Sequence, residues 1–374
     1  MTRVYLDYNA TAPLRPEALE AVTRAYALGG NPSSIHAAGR AARALVEQAR
    51  TEIAALIGGP ASTVVFTSGG TEANALAVDS AVATGSKRLI VSAIEHDSVL
   101  ETAKASGAAV EILPVGPDGL ADLAWLAERL SRWDAADGRP FVALMLANNE
   151  TGVIQPVREA SEIVRAAEGW LHVDAIQAAG KIPTDSRVLG ADTLSTSAHK
   201  LGGPQGVGAL TFGPRATLVR RQHGGGQERG RRAGTENVPG IAGFGAAAMA
   251  ALRDVNDQAP MRDAAAERLK ALGAVVIAEA SPRLPNTLCV ATPGHTSDLQ
   301  VMKLDLAGFM VSAGSACSSG KVKASHVLSA MGLGELAECA IRVSGGWGTT
   351  ESDWAAFVDA WSEIRHAARR APAA

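Results

Sequence analysis

The sequence predicts an α/β protein whose larger part carries a mostly parallel sheet and whose smaller part is α+β. Three observations carry this expectation. Short apolar runs alternate with helical stretches between residues 37 and 212, as in strands joined by crossover helices. The conspicuous polar residues fall just past the ends of those runs, on the edge where open α/β sheets bind ligands. After Asp254 the texture changes to alternating segments set among helices.

Taken in order, the first clear helix is Ala37–Ile57. Leu45, Ile53, Leu56 and Ile57 share one face, and Gly58-Gly59 supply the stop. Residues 63–66 read as a buried strand that runs into Ser68-Gly69-Gly70-Thr71-Glu72, with a helix over 73–83. A strand at Arg88–Ser92, a helix at 98–106, a strand at 110–115 and a helix at 120–133 follow. The apolar run 141–146 ends in Asn148-Asn149-Glu150. Residues 157–168 form a helix, and the strand 170–173 ends at Asp174. Thr193–Ser197 leads into His199-Lys200, and Gly208–Phe212 follows at once. In the second part, strands at Thr287–Ala291 and 341–344 lie among helices at 264–272, 298–306, His326–Ala330 and 352–368. The expected division is a large domain over 13–254 and a small domain made of 1–12 plus 255–374.

With 374 residues the chain is too long for one compact core. The net charge of −3 includes no broad basic field, so nucleic acid is not an expected partner. The first residues lack the apolar run of a signal peptide, and no stretch is long and apolar enough to span a bilayer. The expected location is therefore the cytoplasm, away from membranes. Cys289, Cys317 and Cys339 are too few and too scattered for a disulfide framework or a zinc site. A single special thiol remains open.

Lys200 lies between a strand and a Gly-rich turn. A lysine amine forms a Schiff base only when unprotonated, which burial or nearby charge favours. Taken alone it reads as an ordinary surface lysine; its neighbours alter that reading. Asp174 ends a strand, and Gln177 follows three residues later. A carboxylate there can keep a pyridinium nitrogen protonated, or it can cap a helix over 175–179. The turn with Gly69, Gly70 and Thr71 opens a helix, where backbone N–H groups and the helix dipole favour a phosphate. Ser197 offers a second hydroxyl. His96 can stack on a ring and move protons, or be a polar loop histidine. Arg342, on an apolar strand, calls for a carboxylate ligand or an Asp or Glu partner. Cys317 sits in Gly314-Ser315-Ala316-Cys317-Ser318-Ser319-Gly320-Lys321, a run of small residues on which a thiol is expected to be exposed. Lys321 and Lys323 would favour its thiolate. Cys289 and Cys339 read as buried packing residues.

Together these motifs resemble the group I cysteine desulfurases, the NifS/IscS-like branch of the class V aminotransferases. The resemblance runs from Tyr5-Leu6-Asp7-Tyr8-Asn9-Ala10-Thr11 to Ile341-Arg342-Val343-Ser344. It includes Asn31-Pro32-Ser33-Ser34, Asn148-Asn149-Glu150-Thr151-Gly152, His172-Val173-Asp174-Ala175-Ile176-Gln177 and Gly224-Gly225-Gly226-Gln227-Glu228-Arg229-Gly230. It implies the fold type I of pyridoxal-phosphate-dependent transferases, with pyridoxal 5'-phosphate bound to Lys200. Asp174 would pair with the ring nitrogen, Gln177 with the ring hydroxyl, and His96 would stack on the ring. Gly70, Thr71, Ser197 and His199 would hold the phosphate, and Thr235 would reach the phosphate of a partner subunit in a homodimer. Asn149, beside the cofactor, and Arg342 would hold the substrate carboxylate. Lys200, Cys317 and His96 would be the catalytic groups. L-cysteine would become L-alanine, its sulfur passing as a persulfide on Cys317 to an acceptor.

Iron–sulfur cluster assembly on a scaffold protein is the leading expectation for that acceptor; nitrogenase maturation and tRNA thiolation stay open. No intrinsic metal is expected, although Cys317 could transiently ligate a cluster with a scaffold. Selenocysteine lyase or another class V aminotransferase is the nearest alternative. A non-catalytic sulfur carrier and a metalloprotein using Cys317 are weaker ones. Three positions depart from the family pattern: Ala12 stands where threonine is frequent, Ala198 where glycine is, and Gly202 where an aromatic residue is common.

Overall fold

The computed structural model describes residues 3–254, 257–314 and 324–370, with side chains as far as residue 366. The chain runs β1 (Val4–Tyr5), α1 (Pro16–Leu28), α2 (Ala37–Ile57), β2 (Val64–Thr67), α3 (Gly70–Ala83), β3 (Arg88–Ser92), α4 (Asp97–Ala105), β4 (Ala109–Leu113) and α5 (Leu123–Ser131). It continues through β5 (Phe141–Ala143), α6 (Val157–Ala166), β6 (Trp170–Asp174), α7 (Ser186–Leu189), β7 (Thr193–Ser197), β8 (Gly208–Phe212) and α8 (Val238–Arg253). Then come α9 (Ala259–Ala271), β9 (Val275–Val276), β10 (Thr287–Ala291), α10 (Ser297–Leu306), β11 (Phe309–Met310) and β12 (Ser312–Ala313). The last elements are α11 (His326–Ala330), α12 (Leu336–Cys339), β13 (Ala340–Ser344) and α13 (Glu351–Arg370).

Seven strands form the main sheet in the order β2-β8-β7-β6-β5-β3-β4. Strands β4, β3, β5, β6 and β7 are parallel neighbours. Strand β8 is antiparallel to both β7 and β2. The return from β7 to β8 uses only residues 198–207, too short for a parallel crossover. Lys200 sits in that return. The winding direction changes at β3, which has β4 on one side and β5 on the other. A crevice therefore opens past the C-terminal ends of β3, β5, β6 and β7. Strands β2, β6 and β7 are buried along their whole length, which accounts for their lack of alternation.

A second sheet, β12-β13-β10-β9, is antiparallel. Its core includes Leu288, Val343, Trp354 and Phe357, and Leu6 from the N-terminal segment packs with them. Strand β1 pairs in parallel with β11. No helix among the described residues is long and apolar enough to cross a membrane.

Helix α2 and strands β3, β7, β8 and β10 have the bounds expected from sequence. Helices α1 and α8 were not anticipated. Helix α8 is rich in Gly and Ala and buries Val238, Ile241, Phe244 and Ala247 on several sides, so no amphipathic period is visible. A Cβ on Gly243 would stand 2.6 Å from Val22 of α1, and one on Gly245 would stand 2.8 Å from the Cα of Ala49 in α2. These glycines, unfavourable in isolated helices, permit the close packing of α1, α2 and α8. Helix α5 starts later than expected because Asp122 caps it, accepting from the Trp125 N–H at 2.9 Å. Strand β5 ends at Ala143 rather than 146, although Leu144 and Leu146 still donate N–H bonds to His172 and Asp174 carbonyls at 3.1 and 2.8 Å.

One buried ion pair locks the glycine-rich segment to the main body. Arg50 of α2 donates to both carboxylate oxygens of Glu228, at 2.7 and 2.9 Å. Glu228 also accepts from the Phe66 N–H at 2.9 Å, and its backbone is left-handed with φ 46°. Removing one partner leaves the other charge buried. Glu228→Ala is expected to lower unfolding free energy by about 3–5 kcal/mol, measured by urea denaturation followed through tryptophan fluorescence. A loss within about 0.5 kcal/mol, as for an ordinary surface site, would contradict this role.

Candidate active site

The loops past the ends of the parallel strands, together with the N-terminal segment and the second sheet, enclose an open cleft of about 390 Å³. Its walls include Gly70 and Thr71 from the start of α3, His96 after β3, Asn149 after β5, and Asp174 and Gln177 after β6. Ser197, His199 and Lys200 come from the end of β7 and its return, and Arg342 comes from β13. Ten residues singled out in the sequence thus converge on one cleft, from elements up to 272 positions apart. Thr235 is exposed and lies outside this lining. Cys317 lies outside the described residues; Gly314, three positions before it, lines the cleft.

Asp174 is buried at the cleft floor. Its Oδ1 accepts from the Ile176 N–H at 2.9 Å, and its Oδ2 from the Asn74 side-chain amide at 2.8 Å. A turn follows Asp174, so it caps no helix over 175–179. Asn74 Oδ1 in turn bonds His172 Nε2 at 3.0 Å. Burial drives the His172 pKa down to about 3, so the ring is neutral and Nε2 is its donor. Beneath the cleft, Glu95 is fully buried. Its Oε1 accepts from the Met145 N–H, while among the described residues its Oε2 has no partner. Burial and the nearby Asp174 push the Glu95 carboxyl well above its ordinary range. Burial also raises Asp174, against the lowering effects of the Ile176 N–H, His96 and Asn74. With donors on both oxygens, Asp174 is the better place for the negative charge.

Lys200 Nζ donates to the backbone carbonyls of Asn9 and Ala10 at 2.5 and 2.8 Å. Burial, followed by the Arg342 charge, lowers its pKa to about 8, with Asp7 and Asp174 opposing. His199 bonds Thr11 Oγ1 through Nδ1 at 3.1 Å, and burial, then Lys200, lower its pKa to about 4. His96 caps α4: its Nδ1 accepts from the Ser98 N–H at 3.0 Å. That bond leaves Nε2 as the N–H end of the neutral ring. Arg342 meets both alternatives raised by the sequence. It pairs with Asp7 at 2.7 Å and donates to the Asn149 carbonyl at 3.2 Å. Its buried Nε has no partner among the described residues, a donor suited to a carboxylate ligand.

This donor set could hold a phosphorylated aromatic aldehyde. A Cβ on Gly70 would stand 2.2 Å from Ile176 Cδ1. Any larger residue would have to displace the Ile176 side chain, and with glycine bare backbone opens α3, where an anion is favoured. The hydroxyls of Thr71 and Ser197 flank it. Asp174 suits a ring nitrogen, Gln177 a ring oxygen and the Lys200 amine a carbonyl carbon. Among the described residues, no group of three or more His, Cys, Asp or Glu is arranged to hold a metal ion.

Sequence reasoning assigned no role to Asn9, Asn74, Glu95 or Lys181. Asn9, Asn74 and Glu95 are each a buried polar residue within or beside a recognised motif, and that combination was the available signal. Cys289 is buried as expected, its pKa pushed up to about 12. Cys339 is only half-buried, a correction, because it closes the short helix α12 at the edge of its cluster. The Gly202 departure has a steric reason. Its φ is +83°, and a Cβ would stand 2.6 Å from Arg15 Cγ.

The aminotransferase class-V family profile matches residues 4–357. A cysteine desulfurase IscS of Dictyoglomus turgidum is 40% identical over 371 residues, covering 94% of this chain and 91% of that protein. A solved NifS-like protein superposes with a TM-score of 0.89 at 35% identity, covering 98% of this chain and all of the other. The structure of SspA in complex with cysteine superposes with a TM-score of 0.80 at 28% identity, covering 93% of this chain and 100% of the other.

The depressed Lys200 pKa has a direct consequence. Its lone pair becomes available above about pH 8 instead of the ordinary ~10.4. Reductive methylation of the cofactor-free protein, quantified peptide by peptide by mass spectrometry, should rise with pH at Lys200 with a midpoint near that value. A midpoint at the ordinary lysine value would contradict the described environment.

Proposed function

The chain belongs to the class-V aminotransferase family and is a cysteine desulfurase; we propose that it works with pyridoxal 5'-phosphate on Lys200 and a persulfide on Cys317. The observation that carries this reading is the placement of the Lys200 amine in one cleft with Asp174, Gln177 and Arg342, whose Nε has no partner among the described residues.

Gly70, Thr71, Ser197 and His199 hold the phosphate in this reading, Asp174 the ring nitrogen and Gln177 the ring hydroxyl, with His96 against the ring. When bound, pyridoxal phosphate supplies the electron sink for the charge left as the substrate α-proton departs. Arg342 and Asn149 hold the carboxylate of L-cysteine. The Lys200 amine takes the α-proton. Cys317 thiolate attacks the substrate sulfur, forming an S–S bond as the C–S bond breaks. The proton given up by the Cys317 thiol completes the methyl group of L-alanine, with His96 beside the ring as the group that passes it on. The balance is L-cysteine plus the Cys317 thiol giving L-alanine plus the Cys317 persulfide. Gly314 lines the cleft, and Cys317 follows it by three positions in the chain.

The sulfur then passes to an acceptor, with an iron–sulfur scaffold protein the favoured one. Cys317 could transiently ligate a cluster there, with no metal resident in the enzyme itself. A second copy of the chain completes the phosphate site through Thr235, whose exposure leaves it open to a partner. A reaction needing a reduced thiol suits the cytoplasm. The division into 13–254 and 1–12 plus 255–374 belongs to the same proposal, supported by the separate core around Leu6, Leu288 and Trp354.

Two substitutions test the division of labour. Lys200→Ala should lack the visible absorbance of a lysine-bound cofactor. Cys317→Ser should keep that absorbance, lose the persulfide found by alkylation and mass spectrometry, and form alanine at least ~10³-fold more slowly. A Cys317→Ser protein with parental alanine production would sink the persulfide step.

A further inference from the structure

Four residues after Gln177, a second lysine reaches back to the same side chain. Lys181 Nζ donates to Gln177 Oε1 at 2.9 Å and to Asn9 Oδ1 at 3.1 Å. The other end of the Gln177 amide is also engaged: Nε2 donates to the Asn9 backbone carbonyl at 2.8 Å. Gln177 is buried and lines the cleft. Its amide therefore has one Nε2 hydrogen beyond those contacts, while its oxygen faces an amine.

The two contacts act together on orientation. Turning the amide over would set Oε1 against the Asn9 carbonyl and leave the Lys181 N–H without that acceptor. Each change costs a buried hydrogen bond. Burial, followed by the charges of Lys200 and Arg342, drives the Lys181 pKa well below its ordinary value. The contacts survive either protonation state, because even a neutral amine has the two N–H donors they use.

We propose that Lys181 is a positioning residue that fixes which end of the Gln177 amide faces the cleft, and so makes Gln177 a hydrogen-bond donor to the ring oxygen of the bound cofactor. This rests on the pyridoxal-phosphate reading above. Lys181 acts only through Gln177 and touches neither cofactor nor substrate. A donor at the ring oxygen favours its deprotonated form. Without Lys181 only the Asn9 carbonyl still favours this orientation, so the amide presents its oxygen to the ring in part of the molecules, which disfavours that form.

The test is a pH titration of the visible absorbance of the holoenzyme, run on the parent, Lys181→Met, Lys181→Arg, Gln177→Leu and the Met/Leu double variant. Lys181→Met should raise the apparent pKa of the absorbance change by about one unit, the scale of one hydrogen bond to a charged group. Lys181→Arg, which keeps an N–H donor, should restore most of the parental value. In the Gln177→Leu background, Lys181→Met should add no further shift. Should Lys181→Met fail to fold, Lys181→Gln stops one bond short of the contact, keeps the site polar, and should show the same shift.

A titration of Lys181→Met that overlays the parent overturns the proposal. So do shifts that add in the double variant, since the lysine would then act without Gln177. A parent protein with no visible cofactor absorbance after reconstitution fails differently: it removes the cofactor reading itself.

Discussion

The floor of the cleft depends on one short stretch of backbone, residues 7–11, pinned between the two sheets with Tyr8 and Asn9 buried at its centre. Tyr8 N–H donates to the Ser344 carbonyl at 3.1 Å, and Asn9 N–H to the Ser344 hydroxyl at 3.0 Å, both on β13. Ala12 N–H donates to the His199 carbonyl at 2.8 Å, in the return after β7. Asn9 then distributes its remaining groups. Its carbonyl accepts from Lys200 and Gln177, its Oδ1 from Lys181 and Asn286, and its Nδ2 donates to Asn149 and Thr287. Buried polar groups must find partners, so a shift of this segment would strand several of them at once. That requirement, more than any single contact, holds the amine, the amide and the arginine in a common geometry.

The electrostatics follow from the same enclosure. Cationic groups gather on the side of the N-terminal segment: Lys200, Lys181 and Arg342, with Arg342 neutralised by Asp7. Burial, followed by the Arg342 charge, keeps the Lys200 amine ready to lose its proton. The acidic side is organised differently. Asp174 carries two donors, whereas among the described residues Glu95 behind it has a buried oxygen without one. The protein thereby separates a carboxylate that can bear charge from one whose proton burial favours keeping. Asn74 and the neutral His172 extend the support of Asp174 back into the sheet.

Much of this was legible in the sequence, for reasons that differ by residue. Fully buried parallel strands read as apolar runs, so β3 was placed to the residue. Strand β7 is Thr-Leu-Ser-Thr-Ser and still buried; its alternation with helices, not its hydropathy, located it. Helix α8 escaped because burial on several sides leaves no face to recognise. The cleft residues were found because each belongs to a short motif at a strand end. Lys181 and Asn74 escaped because their roles lie in what they hold. Such a role depends on distances between segments far apart in the chain, which spacing does not encode. Arg342 was legible as a buried cation in need of an anion, but its partner Asp7 lies 335 positions away.

In the proposed function the buried amine of Lys200 and the cleft around it carry out a cofactor-dependent removal of sulfur from cysteine. The most direct measurement is the visible spectrum of the purified protein before and after addition of L-cysteine, with the alanine formed counted in the same sample. An absorbance band that changes on addition, with alanine accumulating, is the expected result. A band that changes without alanine would place the protein in another reaction of its family. No band, even after incubation with pyridoxal phosphate, would contradict the assignment of Lys200.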